Sequence, residues 1–174
     1  MKSNVLESLP MFLAHSLALE LDSSDRLREF SDMMARHNQP ALSALFNELA
    51  SLSDLHASEI EAICSGHNLP PLQPWEYEWP DLESPETSAY GVVRYDMQPR
   101  EALELMLKQE NGAAEFYGDI ARRTLNPTIR ELATEFEEEE QQHAHMLTWR
   151  LEQMDAANQS PPPAPDIDPP QQLD

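Results

Sequence analysis

The chain has 174 residues, 32 of them acidic and 11 basic, for a formal net charge of −21. That length allows one domain with a sizeable core, and that charge makes nucleic acids and anionic membrane surfaces poor partners. With 4 glycines and 1 cysteine, the chain has no disulfide framework and no paired-thiolate metal knuckle, and cytoplasm is the expected compartment.

Strand-like alternation is nearly absent, so the expected fold class is all-α. The first predicted helix begins near Ser8, Leu9 and Pro10, with proline in an early helical position, and runs to about His37. Its inward stripe is Leu13, Leu17, Glu20, Ser24, Leu27, Phe30 and Met34. The apolar stretch within it, residues 11–21, is interrupted by His15 and Glu20. It is too short and too polar to span a membrane, and it lacks the flank and cleavage site of a signal peptide.

A second helix starts at Pro40 and runs to Cys64, with Gly66 as its stop; its stripe is Leu42, Leu45 or Phe46, Leu49, Leu52 or Ser53, His56, Ile60 and Ile63. A proline-rich connection follows, from His67 to Gln98, carrying Trp75, Tyr77, Trp79, Tyr90 and Tyr95. Those aromatics suggest a strap packed across a bundle rather than a free linker. The third helix runs from Pro99 to about Leu125, with Leu103, Met106, Glu110, Ala113, Tyr117 and Ile120 facing in. Asn126 is the expected N-cap of the fourth helix and Pro127 its first-turn proline. Residues 158–174, rich in proline and acidic groups, cannot build a core and read as a disordered tail, which leaves residues 1–157 as the folded domain.

The fourth helix holds the most informative segment, Glu140-Gln141-Gln142-His143, within FEEEEQQHAHML at 136–147. A glutamate and a histidine three apart share a helical face, so one helix offers both to a metal. The apolar positions Ile129, Leu132 and Phe136, then Met146 or Leu147, Leu151 and Met154, place that face inward. Burying such groups without partners costs roughly 2–7 kcal/mol each, so something must compensate them. His145 falls on another face, and Glu137, Glu138 and Glu139 read as solvated. His15 is ambiguous, while His37 and His67 lie at helix ends where they suit the local dipole.

Two helices, a long crossover and two more helices form a recognised four-helix-bundle arrangement. Its halves echo each other. Glu20 on the first helix precedes His56 on the second, and Glu110 on the third precedes His143 on the fourth at a similar separation. Each residue sits where an apolar one is expected, as in a duplicated hairpin.

These residues bring the chain to a resemblance. Over roughly residues 9–155 it resembles the ferritin-like superfamily, specifically its rubrerythrin branch. The carriers are the segments at 12–27, 45–60, 102–121 and 132–147, above all Glu110 followed by Ala113-x-x-Phe116-Tyr117, and then Glu140-x-x-His143. The resemblance implies a ferritin-like four-helix bundle with a long crossover between helices two and three, holding a pair of irons. By that match Glu20 and Glu110 are the single carboxylate ligands, Glu140 is a bridging carboxylate, and His56 and His143 are the imidazole ligands. Where the family carries a second bridging glutamate this chain has Ser53. Asp54, one residue on, lies about 100° further round the helix and points elsewhere. The additional glutamate three residues from the helix-three ligand is also missing, with Leu107 and Ala113 flanking Glu110. A single cysteine rules out the rubredoxin-like electron-relay module of full rubrerythrins.

Carboxylate and imidazole ligands suit iron, with manganese also accommodated. The implied activity is that of a ferroxidase- or peroxidase-type oxidoreductase, with oxygen or peroxide as oxidant and an external electron donor for repeated turnover, in iron handling or oxidative stress. Tyr117, about two turns beyond Glu110, is a candidate proton or electron donor as well as a candidate core tyrosine. Two other readings stay open: a metal-sequestering or sensing bundle with an incomplete site, and a helical interaction module whose inward polar groups pair with one another. Bundles of this kind form homodimers or larger shells.

Overall fold

Prolines mark the starts of four long helices in a computed structural model of the chain, which describes residues 3–81, 83–86 and 92–159. A short helix α1, Ser3–Glu7, precedes α2 (Leu9–Arg36), α3 (Pro40–Cys64), α4 (Pro99–Arg123) and α5 (Pro127–Gln159). Pro10, Pro40, Pro99 and Pro127 occupy the first turn of their helices, where the missing N–H is unneeded and the fixed φ suits the helix. All four long helices of the sequence reading are present, with ends within a few residues of those expected. α1 was not foreseen. Among the described residues there is no strand, and no helix is long and apolar enough to cross a membrane.

The connections are built by local chemistry. After α2, Asn38 adopts a left-handed φ of 57°, which asparagine tolerates. The Gln39 N–H then returns to the Met34 carbonyl at 2.9 Å and closes the helix end. At the end of α3, Gly66 takes φ 102°, a conformation costly to any side chain. The Gln98 amide at the start of α4 donates to the Glu101 carboxylate at 2.7 Å, half of a capping box. Asn126 caps α5 as expected, its Oδ1 accepting the Thr128 N–H at 3.0 Å.

α2 pairs intimately with α3, and α4 with α5. The core these hairpins enclose is split. One apolar cluster gathers Leu27, Phe30, Met34, Phe46, Leu49, Leu103, Met106 and Leu147. The other gathers Phe12, Leu13, Ile60, Phe116, Tyr117, Ile120, Ile129 and Phe136. Each large side chain buried this way contributes about 1.5–3 kcal/mol. On every long helix polar residues lie between the two clusters, Glu20 and Ser23 on α2, Ser53 and His56 on α3, Gln109 and Glu110 on α4, Glu140 and His143 on α5, so a polar layer crosses the bundle at mid-height.

The crossover follows the sequence reading only in part. Its described residues include one 3-10 turn, Pro74–Glu76. Tyr77 and Trp79 stack on each other at 5.5 Å and both meet the edge of His15, at 5.1 and 5.2 Å, while Trp79 also packs on Phe116. Trp75 and Tyr95, expected to pack across the bundle, are instead 80% and 60% exposed. Tyr95 stacks on His37 at the end of α2. Tyr90 and the tail from 160 onward lie outside the described residues, and α5 itself continues to Gln159.

Candidate metal centre

The polar layer converges on one point. From α2, Glu20 meets His56 of α3, with 3.6 Å between carboxylate oxygen and Nδ1. From α4, Glu110 meets His143 of α5 at 3.3 Å, and Glu140 lies 3.4 Å from the same ring nitrogen. The two imidazoles stack across the bundle axis with centroids 4.8 Å apart. All five residues singled out in the sequence as ligands thus come together.

Their grouping is specific. Glu20, His56 and Glu140 offer ligand atoms within 4.8 Å of one another, and so do Glu110, Glu140 and His143. Glu140 belongs to both groups. A third cluster, His56 with Glu59 and Glu139, lies toward the surface, where Glu59 is exposed. In the sequence Glu139 reads as a solvated helix residue.

The departures from the family pattern have structural counterparts. Ser53 faces the site but donates its hydroxyl to Ser23 at 3.1 Å. Asp54 points away, as its helical angle requires, accepting from Ser24 and pairing with Arg28. The residue that sequence reasoning missed is Glu86. It reaches the site from the crossover, is 6% exposed, and lines the cavity with Glu20, Glu110, Glu140, Ser53 and both histidines. No periodicity marks a residue in a loop, so only the gap left by Ser53 hinted that another carboxylate was needed.

The electrostatics reflect the crowding of buried carboxyls in this layer. Burial, then the neighbouring charges of Glu20 and Glu110, pushes the Glu86 carboxyl well above its ordinary range. Burial and then the charge of Glu86 do the same to Glu140. Burial also raises Glu20, against the pull of its hydrogen bond with His56. Burial opposes protonation of His143, but its bonds to Glu110 and Glu140 outweigh that and lift its pKa to about 9. Burial likewise opposes protonation of His56, and hydrogen bonding to Glu20 overcomes it. Among the described residues no lysine or arginine lines this cavity. Four carboxylates thus face two imidazoles, a charge set that calls for cations.

The donor set fits the group it calls for. Oxygen and imidazole nitrogen, with no thiolate, match first-row metals such as iron and manganese. The cavity itself holds only about 10 Å³, room for ions and not for an organic cofactor. Tyr117 is fully buried, and burial followed by the charges of Glu20 and Glu140 keeps its phenol protonated. Its hydroxyl has no hydrogen-bond partner. Nearby Ser16 has committed its own proton to the Phe12 carbonyl at 3.1 Å.

Comparison with known proteins agrees with this geometry. One family profile, Rubrerythrin, matches residues 11–149. No curated protein matches the chain. Among solved structures, an uncharacterized conserved protein from Magnetospirillum magnetotacticum MS-1 is similar, with 30% identity and a TM-score of 0.67. The match covers 90% of this chain and 98% of that one.

Proposed function

The chain belongs to the rubrerythrin family, and from that premise we propose that it is a di-iron carboxylate oxidoreductase that oxidises Fe(II) at the expense of oxygen or peroxide. The single observation carrying this reading is the membership of Glu140 in both ligand groups. One carboxylate shared between two Glu–His pairs is what a two-metal site needs to hold its ions side by side. Glu20 and His56 would hold one ion, and Glu110 and His143 the other. When bound, a pair of irons supplies two electrons together, so oxygen or peroxide is reduced without releasing one-electron products.

The protein's own groups do the rest. Anionic oxygens favour the higher charge of ferric iron, which drives the oxidation. His56 and His143 give up their extra protons as metal enters, and the apolar clusters on either side keep bulk water out. Tyr117, kept protonated by burial and the charges of Glu20 and Glu140, is the candidate electron donor. Repeated peroxide turnover requires an external electron donor, because the lone Cys64 provides no rubredoxin-like relay. Ferroxidase chemistry needs only Fe(II) and the oxidant, and is the better fit.

An anaerobic Fe(II) titration of metal-free protein, followed by air, tests the reading. Saturation at about two irons per chain, with ferric absorption rising in the near ultraviolet over many turnovers, supports it. Absence of saturable uptake overturns it. Ser53, in place of a bridging carboxylate, favours a second reading, iron sequestration, which saturable uptake with a single turnover would establish.

A further inference from the structure

Glu86 is a buried carboxylate brought in by the crossover, and the bundle's helices do not account for its presence. Its neighbours are arranged to keep it there. Gln109 of α4 donates its side-chain amide to the Glu86 carbonyl at 2.5 Å, both groups being buried. One residue earlier, Pro85 lies over Gly112, where a Cβ would sit 3.7 Å from the proline ring. Ser23 stands beside the Glu86 carboxylate and favours its ionised form, and Ser23 accepts the hydroxyl of Ser53 at 3.1 Å. A path of two small hydroxyl side chains therefore connects the position that lacks its carboxylate to one that arrives from elsewhere.

Volume and charge give this path its meaning. Serine at 53 is smaller than a helix-borne glutamate and carries no charge. The carboxylate count that Ser53 lowers is restored by Glu86, which lines the same cavity as Glu20, Glu110 and Glu140. A buried carboxylate with a single hydroxyl partner is far from compensated. We infer that Glu86 is the sixth ligand of the metal pair, delivered from the crossover in exchange for the helix-borne carboxylate absent at Ser53. The inference rests on the di-metal reading of the site and adds to it a ligand outside the four helices. It makes segment 84–86 a part of the metal site rather than a passive connection, so that metal binding and seating of the crossover stabilise each other.

Anaerobic titration of the full chain with Co(II), followed by its visible absorption, tests this directly. The parent chain is expected to take up about two ions. Glu86→Gln, which keeps the side-chain shape, is expected to retain one and to weaken the other at least about tenfold. Ser53→Glu in the Glu86→Gln chain is expected to recover the second ion. The metal-free Glu86→Gln chain should fold and melt as the parent does, read by circular dichroism at 222 nm, so that its lost ion reports ligation; a purely structural glutamate would instead cost the metal-free chain stability. Two ions bound by Glu86→Gln at parental affinity would overturn the role of Glu86 and leave the di-metal site standing. No uptake by the parent chain would overturn both. A folded Ser53→Glu/Glu86→Gln chain that stays at one ion would overturn the exchange.

Discussion

His15 is fully buried, and its two ring nitrogens are committed in opposite senses. Nδ1 donates to the Met11 carbonyl at 2.8 Å, and Nε2 accepts the Glu78 backbone N–H at 2.9 Å. Only one neutral tautomer satisfies both bonds. A second proton would sit on Nε2 and face the Glu78 N–H, donor against donor. Burial accordingly holds the His15 pKa below its ordinary 6.5, despite its bond to Met11 and the nearby charge of Glu78. A lowered folded pKa means stability that is intact above the ordinary value and drains away as the pH falls through the folded one. Tyr77 and Trp79 rest on this ring, so acid should loosen that part of the crossover. In a Trp75→Phe/Trp149→Phe background, Trp79 fluorescence is expected to shift as the pH falls below the ordinary histidine value of 6.5, and His15→Phe to abolish the acid step. Tyr117 offers a second residue-scale expectation. Since its buried hydroxyl lacks a partner, Tyr117→Phe should leave thermal stability unchanged or raise it by up to about 1 kcal/mol. Any loss of iron-oxidation rate in that variant then reports chemistry rather than folding. Glu20, His56, Glu110, Glu140 and His143 were legible in the sequence because each interrupts an apolar helical stripe. Glu86 was not, because a loop residue has no stripe to interrupt, and its burial depends on how α2 and α4 receive it.

At the scale of elements, α3 shows how much local chemistry can specify. Pro40 at its first turn and Gly66 just beyond its end gave Pro40–Cys64 from the sequence, the range observed. α1 has only five residues, too few for periodicity to register, and it is held by distant partners: Val5 is fully buried, and Thr124 donates its hydroxyl to the Leu6 carbonyl at 2.5 Å. The crossover was half legible. Its aromatic residues announced packing, but only contact with His15 and Phe116 selects Tyr77 and Trp79 over Trp75 and Tyr95. Gly112 in α4 supports a prediction at this scale. A methyl group there would meet Pro85 at an ordinary van der Waals distance of 3.7 Å, while a mid-helix glycine costs about 1 kcal/mol relative to alanine. Gly112→Ala is therefore expected to raise the melting temperature by about 2–4 °C, read by circular dichroism at 222 nm. A fall would mean that segment 84–86 needs closer approach to α4 than the methyl allows.

Across the whole molecule, the polar layer divides one core into two and places its charges at the seam between the hairpins. Stability and metal content are consequently linked. Ions that bind only the folded chain stabilise it by mass action, by about 2.7 kcal/mol at a hundredfold excess over the dissociation constant. The melting temperature is expected to rise with Fe(II) or Mn(II) under anaerobic conditions and to return on chelation, by scanning calorimetry. A temperature indifferent to either metal would mean that the four carboxylates are carried at a permanent cost.

The pairing of α2 with α3 and of α4 with α5 also orders events in time. Each hairpin closes over a short turn, so its contacts are local and quick to form. The first emerges from the ribosome complete, with Glu20 and His56 already on facing helices, before the second has been synthesised. Docking is what brings Glu20, Glu110 and Glu140 together, and without cations it proceeds against their mutual repulsion. A bound cation would relieve that repulsion, so metal present during synthesis is expected to speed the closing of the two hairpins on each other.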